Sequence, residues 1–225
     1  MMISYGPFMT TETRTRLLQG AVDALRSQGI AGVSARTIAA AAGVNQALVF
    51  YHFGSVDELV AAAALWSTEQ RVAECRGRFQ QVRSLRGLSA VGRELRAKDP
   101  AAGEVAVLGQ VLAGAQANPA LCAATREALG LWVTEIEQVL TRVLAGSALG
   151  EVADVPGLAR AVAASFVGME LTAVVDPDGD EAAFRALDQL GAVLECLDDL
   201  GPATRRDVRL TVRRSVRKKG GGAGA

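Results

Sequence analysis

Apolar residues recur along this chain at helical spacing, and almost nowhere in the strict alternation of a strand. Leu17, Leu18, Ala21, Val22 and Leu25 lie on one helical face, and they predict a first helix that runs to about Gln28 and stops at Gly29. Thr11 or Thr13 is the expected cap of that helix, and residues 1 to 10 read as a mobile leader. Ser34 caps a second helix, Ala35 to Ala42, with Ile38, Ala39 and Ala42 facing inward; such small residues let two helices cross closely. Gly43 suits a left-handed turn, Val44 packs inward and Asn45 has the side chain of an N-cap. A short third helix follows, up to about Phe53, with Leu48, Val49 and Phe53 on its apolar side and Gln46, Ala47, Tyr51 and His52 on the others. Ser55 caps a long fourth helix to about Phe79, with Asp57 and Glu58 in the first turn, where negative charge is favourable.

Beyond a break expected at Ser84 to Leu88, the pattern predicts helices over 88–97, 101–116, 119–145, 155–175 and 181–200. Asp99-Pro100, Asn118-Pro119, Gly146-Ser147, Pro156-Gly157 and Asp176-Pro177-Asp178-Gly179 punctuate them, and Pro119 and Pro156 fall where a first helical turn tolerates proline. The segment 158–175 is apolar nearly all round and must be buried on all sides. Its small-residue face, Ala161, Ala164, Gly168, Leu171 and Val175, is expected to meet a second subunit together with Leu187, Leu190, Leu194 and Leu197 of the last helix. The bland alternative is a central helix of one monomer's core.

Composition agrees with an all-α chain: half of the 225 residues are apolar and only 4% are aromatic. The formal net charge of zero hides a split. Residues 203 to 225 carry eight basic residues and one acidic, residues 67 to 202 carry 12 and 19, and residues 1 to 55 carry four and two. Overall neutrality is therefore no argument against a nucleic-acid partner. The tail TRRDVRLTVRRSVRKK reads first as a solvated terminus and second as an extra phosphate-binding arm. Cys75, Cys122 and Cys196 are scattered, without a CxxC pair, which suits free thiols in a reducing, cytoplasmic compartment. No signal peptide and no membrane span are expected.

Chemistry-bearing motifs are absent from the sequence. There is no GxSxG and no GxxxxGK[ST], and the single histidine with three separated cysteines offers no metal-ligand spacing. The expectation is a protein without catalytic residues, metal or cofactor.

The run GVSARTIAAAAGVNQALVFYHFGSVDEL, residues 32 to 59, resembles the DNA-binding region of the TetR family of bacterial transcriptional regulators. The shared pattern is a Ser-started helix containing Ile-Ala, then Ala-Gly-Val, a short helix ending in aromatics with His and Phe, and a Ser cap opening a long helix. The resemblance covers about residues 10 to 66. It implies a homodimer whose subunits each carry a helix-turn-helix head, 10–55, and a helical effector-binding and dimerisation domain, 56–202, with 203–225 as a basic tail.

The resemblance also implies roles for individual residues. Arg36 would reach a guanine or a phosphate and Thr37 a phosphate; Asn45, Gln46 and Ala47 would meet base edges; Tyr51 and His52 would hold the DNA backbone. Two positions depart from the pattern. Phe50 stands where a tyrosine hydroxyl commonly bonds phosphate, so the ring is left only to pack. Val56 stands where a lysine is common, which removes a phosphate contact. An effector pocket would be walled by Leu108, Leu112, Trp132, Phe166 and Met169, with Glu170 for a polar or basic group of the effector. The expected function is a repressor that binds a palindromic operator as a dimer and is released by a small, largely apolar molecule. The alternative is a helical ligand-binding or protein-interaction dimer with weakened DNA affinity.

Overall fold

A computed structural model describes residues 7–98, 104–116, 118–147, 149–150, 153–172 and 175–198, with isolated positions in the tail. The described residues form an all-α fold: α1 (Pro7–Gly32), α2 (Ala35–Ala42), α3 (Ala47–Phe53), α4 (Val56–Gln81), α5 (Leu85–Lys98), α6 (Glu104–Ala115), α7 (Pro119–Val143), α8 (Val155–Thr172) and α9 (Pro177–Asp198). The helix α1 breaks its helical geometry at Gly29 (φ 67°, ψ 171°), the expected stop, and resumes for a last short turn. Its start differs from expectation. It begins at Pro7, so residues 7 to 10 belong to a helix, and Thr11 and Thr13 lie inside it rather than cap it. Residues 1 to 6 lie outside the described residues, as does most of the basic tail.

Local chemistry sets the other ends. Asn118 caps α7, its Oδ1 accepting from the N–H groups of Ala120 and Leu121, with Pro119 opening the helix. Ser84 Oγ accepts from Gly87 N at 3.1 Å. The break before α5 is therefore only Val82 to Ser84, and Gly87 lies in the helix rather than in a loop.

Two apolar cores result. The first joins Leu17, Ala21 and Leu25 of α1, Ile38, Ala39 and Ala42 of α2, Val49 of α3 and Leu59, Val60 and Ala63 of α4 to Val107 and Val111 of α6 and Leu121 of α7. The head thus shares its core with the helices behind it, and the division expected at 55/56 is not a division of packing. The second core holds Cys75 and Phe79 of α4, Val91 and Leu95 of α5, Ile136, Val139 and Leu140 of α7 and Ala159 and Ala163 of α8. The helices α4 and α7 run through both.

Polar ties join the same helices. Glu135 of α7, only 5% exposed, accepts from Arg76 Nε of α4 at 2.8 Å. Arg142 donates to the carbonyls of Phe79 and Val82 at the end of α4. No single described helix is long and apolar enough to cross a membrane.

Candidate nucleic-acid interface

The helix α2 is held at both ends by short-range bonds. Ser34 Oγ accepts from Thr37 N at 3.2 Å while Thr37 Oγ1 accepts from Ser34 N at 2.9 Å, a reciprocal capping box. Gly43 closes the helix in the left-handed region (φ 63°, ψ 39°), its N–H directed at the carbonyls of Ala39 and Ala40. Two features that sequence reasoning missed fix the turn from outside. Arg16 of α1 donates from Nε and Nη2 to the Ala42 carbonyl, at 3.1 and 2.7 Å, and from Nη2 to the Gly43 carbonyl at 2.9 Å. These are the carbonyls that the end of α2 leaves unpaired. Gly20 of α1 lies so close to α2 that a β-carbon there would sit 2.9 Å from the Ala42 Cβ and N and the Ile38 O. Only a residue without a side chain permits that crossing. No sequence signal marks Arg16, since its partners are 26 and 27 residues away; Gly20 sits on the inward stripe and is readable only as a tolerated helix glycine.

The helix α3 begins at Ala47, one residue later than a cap at Asn45 requires, with Gln46 as the preceding residue. Asn45 nevertheless does the capping: its Oδ1 accepts from Ala47 N at 2.8 Å, and its carbonyl accepts from Leu48 N. That engages its acceptor oxygen and leaves the Nδ2 group for other partners. Val49 is fully buried, and Val44, Leu48, Phe53 and Val56 pack on the first core.

The remaining side chains of α3 form one outward surface. Asn45, Gln46 and Ala47 are exposed, Phe50 is 49% exposed and Tyr51 is 75% exposed. Ala47 stands mid-face, with Phe50 roughly 60° to one side and Tyr51 roughly 40° to the other. Phe50 therefore does not pack fully into the fold: about half of its surface stays open. His52 is half-buried and turned to the side, edge-on to Tyr51 (centroids 4.9 Å) and to Phe53 (6.5 Å). The Arg14 guanidinium lies over the Phe53 ring at 4.8 Å, tying α1 to the end of α3. Arg36 is exposed on α2, whereas the Thr37 hydroxyl is engaged by its own helix cap and by the carbonyls of Ser34 and Gly32.

This is a short helix pinned from behind through its backbone and apolar side, presenting a small residue between two rings. Residues 17–63 match the family model described as bacterial regulatory proteins, tetR family. The chain carries a TetR-family head. Two mycobacterial proteins are similar to part of this chain: the HTH-type transcriptional repressor Rv3405c of Mycobacterium tuberculosis and the HTH-type transcriptional regulator Mb3439c of Mycobacterium bovis. Each is 47% identical over 51 residues, which is 23% of this chain and 27% of the relative. That likeness spans about a quarter of those relatives' length.

Solved structures extend the likeness in fold. A transcriptional regulator from Rhodococcus sp. Rha1 is 26% identical, with a TM-score of 0.64 over 84% of this chain and 99% of its own. A TetR-family regulator from Cytophaga hutchinsonii, 16% identical, has a TM-score of 0.70 over 83% and 96% and matches as a fold. The multidrug binding protein EbrR, solved with imidazole, is 27% identical, with a TM-score of 0.58 over 79% and 93%.

Behind the TetR-type head, the expected pocket residues lie on three helices that pack on one another, α6, α7 and α8. Leu108 is fully buried, Leu112, Met169 and Glu170 are half-buried, and Trp132 and Phe166 pack on the second core, Trp132 edge-on to Phe79 at 6.2 Å.

Much of the expected subunit face is open. Ala161, Ala164, Leu171, Val175, Leu187 and Leu190 are exposed, and a β-carbon on Gly168 would meet nothing within 4 Å. Leu194 is half-buried, and the side chain of Leu197 lies outside the described residues. Val193, which the leucine spacing did not select, is exposed with them. Among the described residues no group of three or more His, Cys, Asp or Glu side chains could hold a metal ion.

Proposed function

We propose that this protein is a one-component transcriptional repressor that binds a palindromic operator as a homodimer. The observation that carries the reading is the outward face of α3: Gln46, Ala47, Phe50 and Tyr51 exposed together on a helix whose other side is fixed by Val49 and by the Asn45 cap. Gln46 bonds an adenine edge and Ala47 leaves room for a base at close approach. Arg36, on α2, takes a guanine or a phosphate, and Tyr51 and His52 hold the DNA backbone. Asn45 contributes through Nδ2 alone. Thr37 acts by positioning Arg36, because its hydroxyl is already bonded within the cap.

The dimer forms through α8 and α9, where the open apolar residues lie. The effector is a small, largely apolar molecule held among α6, α7 and α8 by Leu108, Leu112, Trp132, Phe166 and Met169, with Glu170 for a polar group. The imidazole on EbrR supports a small-molecule role for this fold. Release is carried by contacts between α6, α7 and the head. Ile30 of α1 packs beside Gly114 of α6, and Asn118 at the start of α7 donates from Nδ2 to Asp57 in the first turn of α4 at 2.7 Å. A shift of α6 therefore moves the base of the head.

The test is an Arg36→Ala, Gln46→Ala double variant, measured on a duplex enriched by the wild-type chain from a random library. Loss of binding with the dimer intact is expected. Unchanged binding contradicts the assignment of α3 as the reading helix.

A further inference from the structure

The ring of Phe50 stands apart from the buried core. It is half exposed, it is not among the side chains packed on the first core, and it carries no polar atom that could bond a phosphate. It stands on the same outward face as Gln46, one helical turn on, and beside Ala47. A phenyl ring held in water on an otherwise small or polar reading face gains only by meeting apolar surface. Among base edges in the major groove, the thymine C5-methyl is the one apolar group.

We propose that Phe50 is a specificity-determining residue that reads a thymine methyl in each half-site. This inference rests on the DNA-reading assignment of α3 and deepens it. Geometry favours a base over the backbone. Phe50 and Gln46 share a side of the face, so the ring meets a base near the one Gln46 bonds, while Tyr51, with its hydroxyl, lies on the other side of Ala47. Substitution of the ring is structurally mild: it lies outside the buried core, and the bond from Gly54 N to the Phe50 carbonyl (2.9 Å) is made by the backbone.

The experiment uses the full chain and the duplex it enriches from a random library, with each thymine replaced in turn by uracil, which lacks only the methyl. For the wild type, one symmetry-related thymine position weakens binding about fourfold per half-site on replacement, the worth of one buried methyl group. Phe50→Ala binds the thymine and uracil duplexes equally while melting at the wild-type temperature, and Phe50→Leu retains a preference for thymine. A thymine preference that persists unchanged in Phe50→Ala, or no thymine preference in the wild type, overturns the assignment of Phe50 but leaves α3 as the reading helix. No binding of any duplex by the wild type at low salt overturns both.

Discussion

Around α1, α2 and α3 the inward apolar side chains are closed over by the same chain: Leu17, Leu25, Ile38 and Val49 have no exposed surface. Along α8, α9 and the turn before α9 the pattern is reversed. Leu171, Val175, Leu187, Leu190 and Val193 face outward, Val175 at 81% and Leu190 at 61% exposure. The inner side of α9 is held to α5 by a different kind of contact. Phe184 is buried beside Gly92 and under the Arg93 guanidinium at 4.9 Å, Arg93 pairs with Asp188 at 2.8 Å and Glu181 at 3.5 Å, and Arg86 pairs with Glu195 at 3.8 Å. The head is thus a finished object that needs only a partner of another kind. The C-terminal pair has one side anchored and one side that the described residues leave uncovered. That asymmetry suits a protein whose reading surface is rigid and whose second surface is completed by a copy of itself.

The comparison breaks most visibly on α9. Leu190→Glu places like charges across a two-fold seam and weakens a dimer by about a hundredfold or more, while each subunit keeps its melting profile. Sedimentation reads it, and an unchanged oligomeric state would show that the open face lies elsewhere than in the seam.

In the head, the corresponding test is Gly20→Ala. Its methyl meets Ala42 and the Ile38 carbonyl at 2.9 Å, and about 1–3 kcal/mol of head stability is lost in thermal unfolding. Arg16→Ala follows, costing about 1–2 kcal/mol as the end of α2 loses its external donors. Hydrogen exchange in α2 should show it first.

The smallest effect concerns the anchor of α9. The Arg93 guanidinium, then the Ser89 hydroxyl, hold the Asp188 carboxyl below its ordinary range. A lowered folded value means that the stabilisation is present above the ordinary aspartate value of about 4 and is lost as pH falls through the folded one. The stability difference between wild type and Asp188→Asn, under about 1 kcal/mol near neutrality, should therefore shrink as pH falls below the ordinary aspartate value of about 4.

The same contrast separates what the sequence made legible from what it hid. Ser34, Gly43 and Ser55 announce helix ends because their bonds reach only a few residues: Glu58 N to Ser55 Oγ at 3.1 Å is a contact three positions long. Threonine misled at the start of α1 for a related reason. Thr15 Oγ1 bonds back to the Thr11 carbonyl within the helix, so the same side chain serves an interior as well as a cap. Arg16, Gly20 and the Asn118–Asp57 bond were out of reach because their partners are distant in the chain. The leucine spacing of the last helix pointed to an apolar stripe but not to its exact edge. Phe184 turns inward to α5 and Val193 outward, a rotation set by the Arg93 cluster. The expected pocket walls stay the least legible, since Leu108, Trp132 and Phe166 are the same residue types that build the core around them.

The central claim is that two copies of the α3 face read DNA together. Hydroxyl-radical footprinting of the intact chain on its enriched duplex, with stoichiometry measured on the same sample, tests it most directly. Two protected half-sites related by a dyad are expected, spaced by about one helical turn or a multiple of it, with an even number of chains bound. A single unpaired footprint with one chain bound, or no protection at low salt, would contradict it.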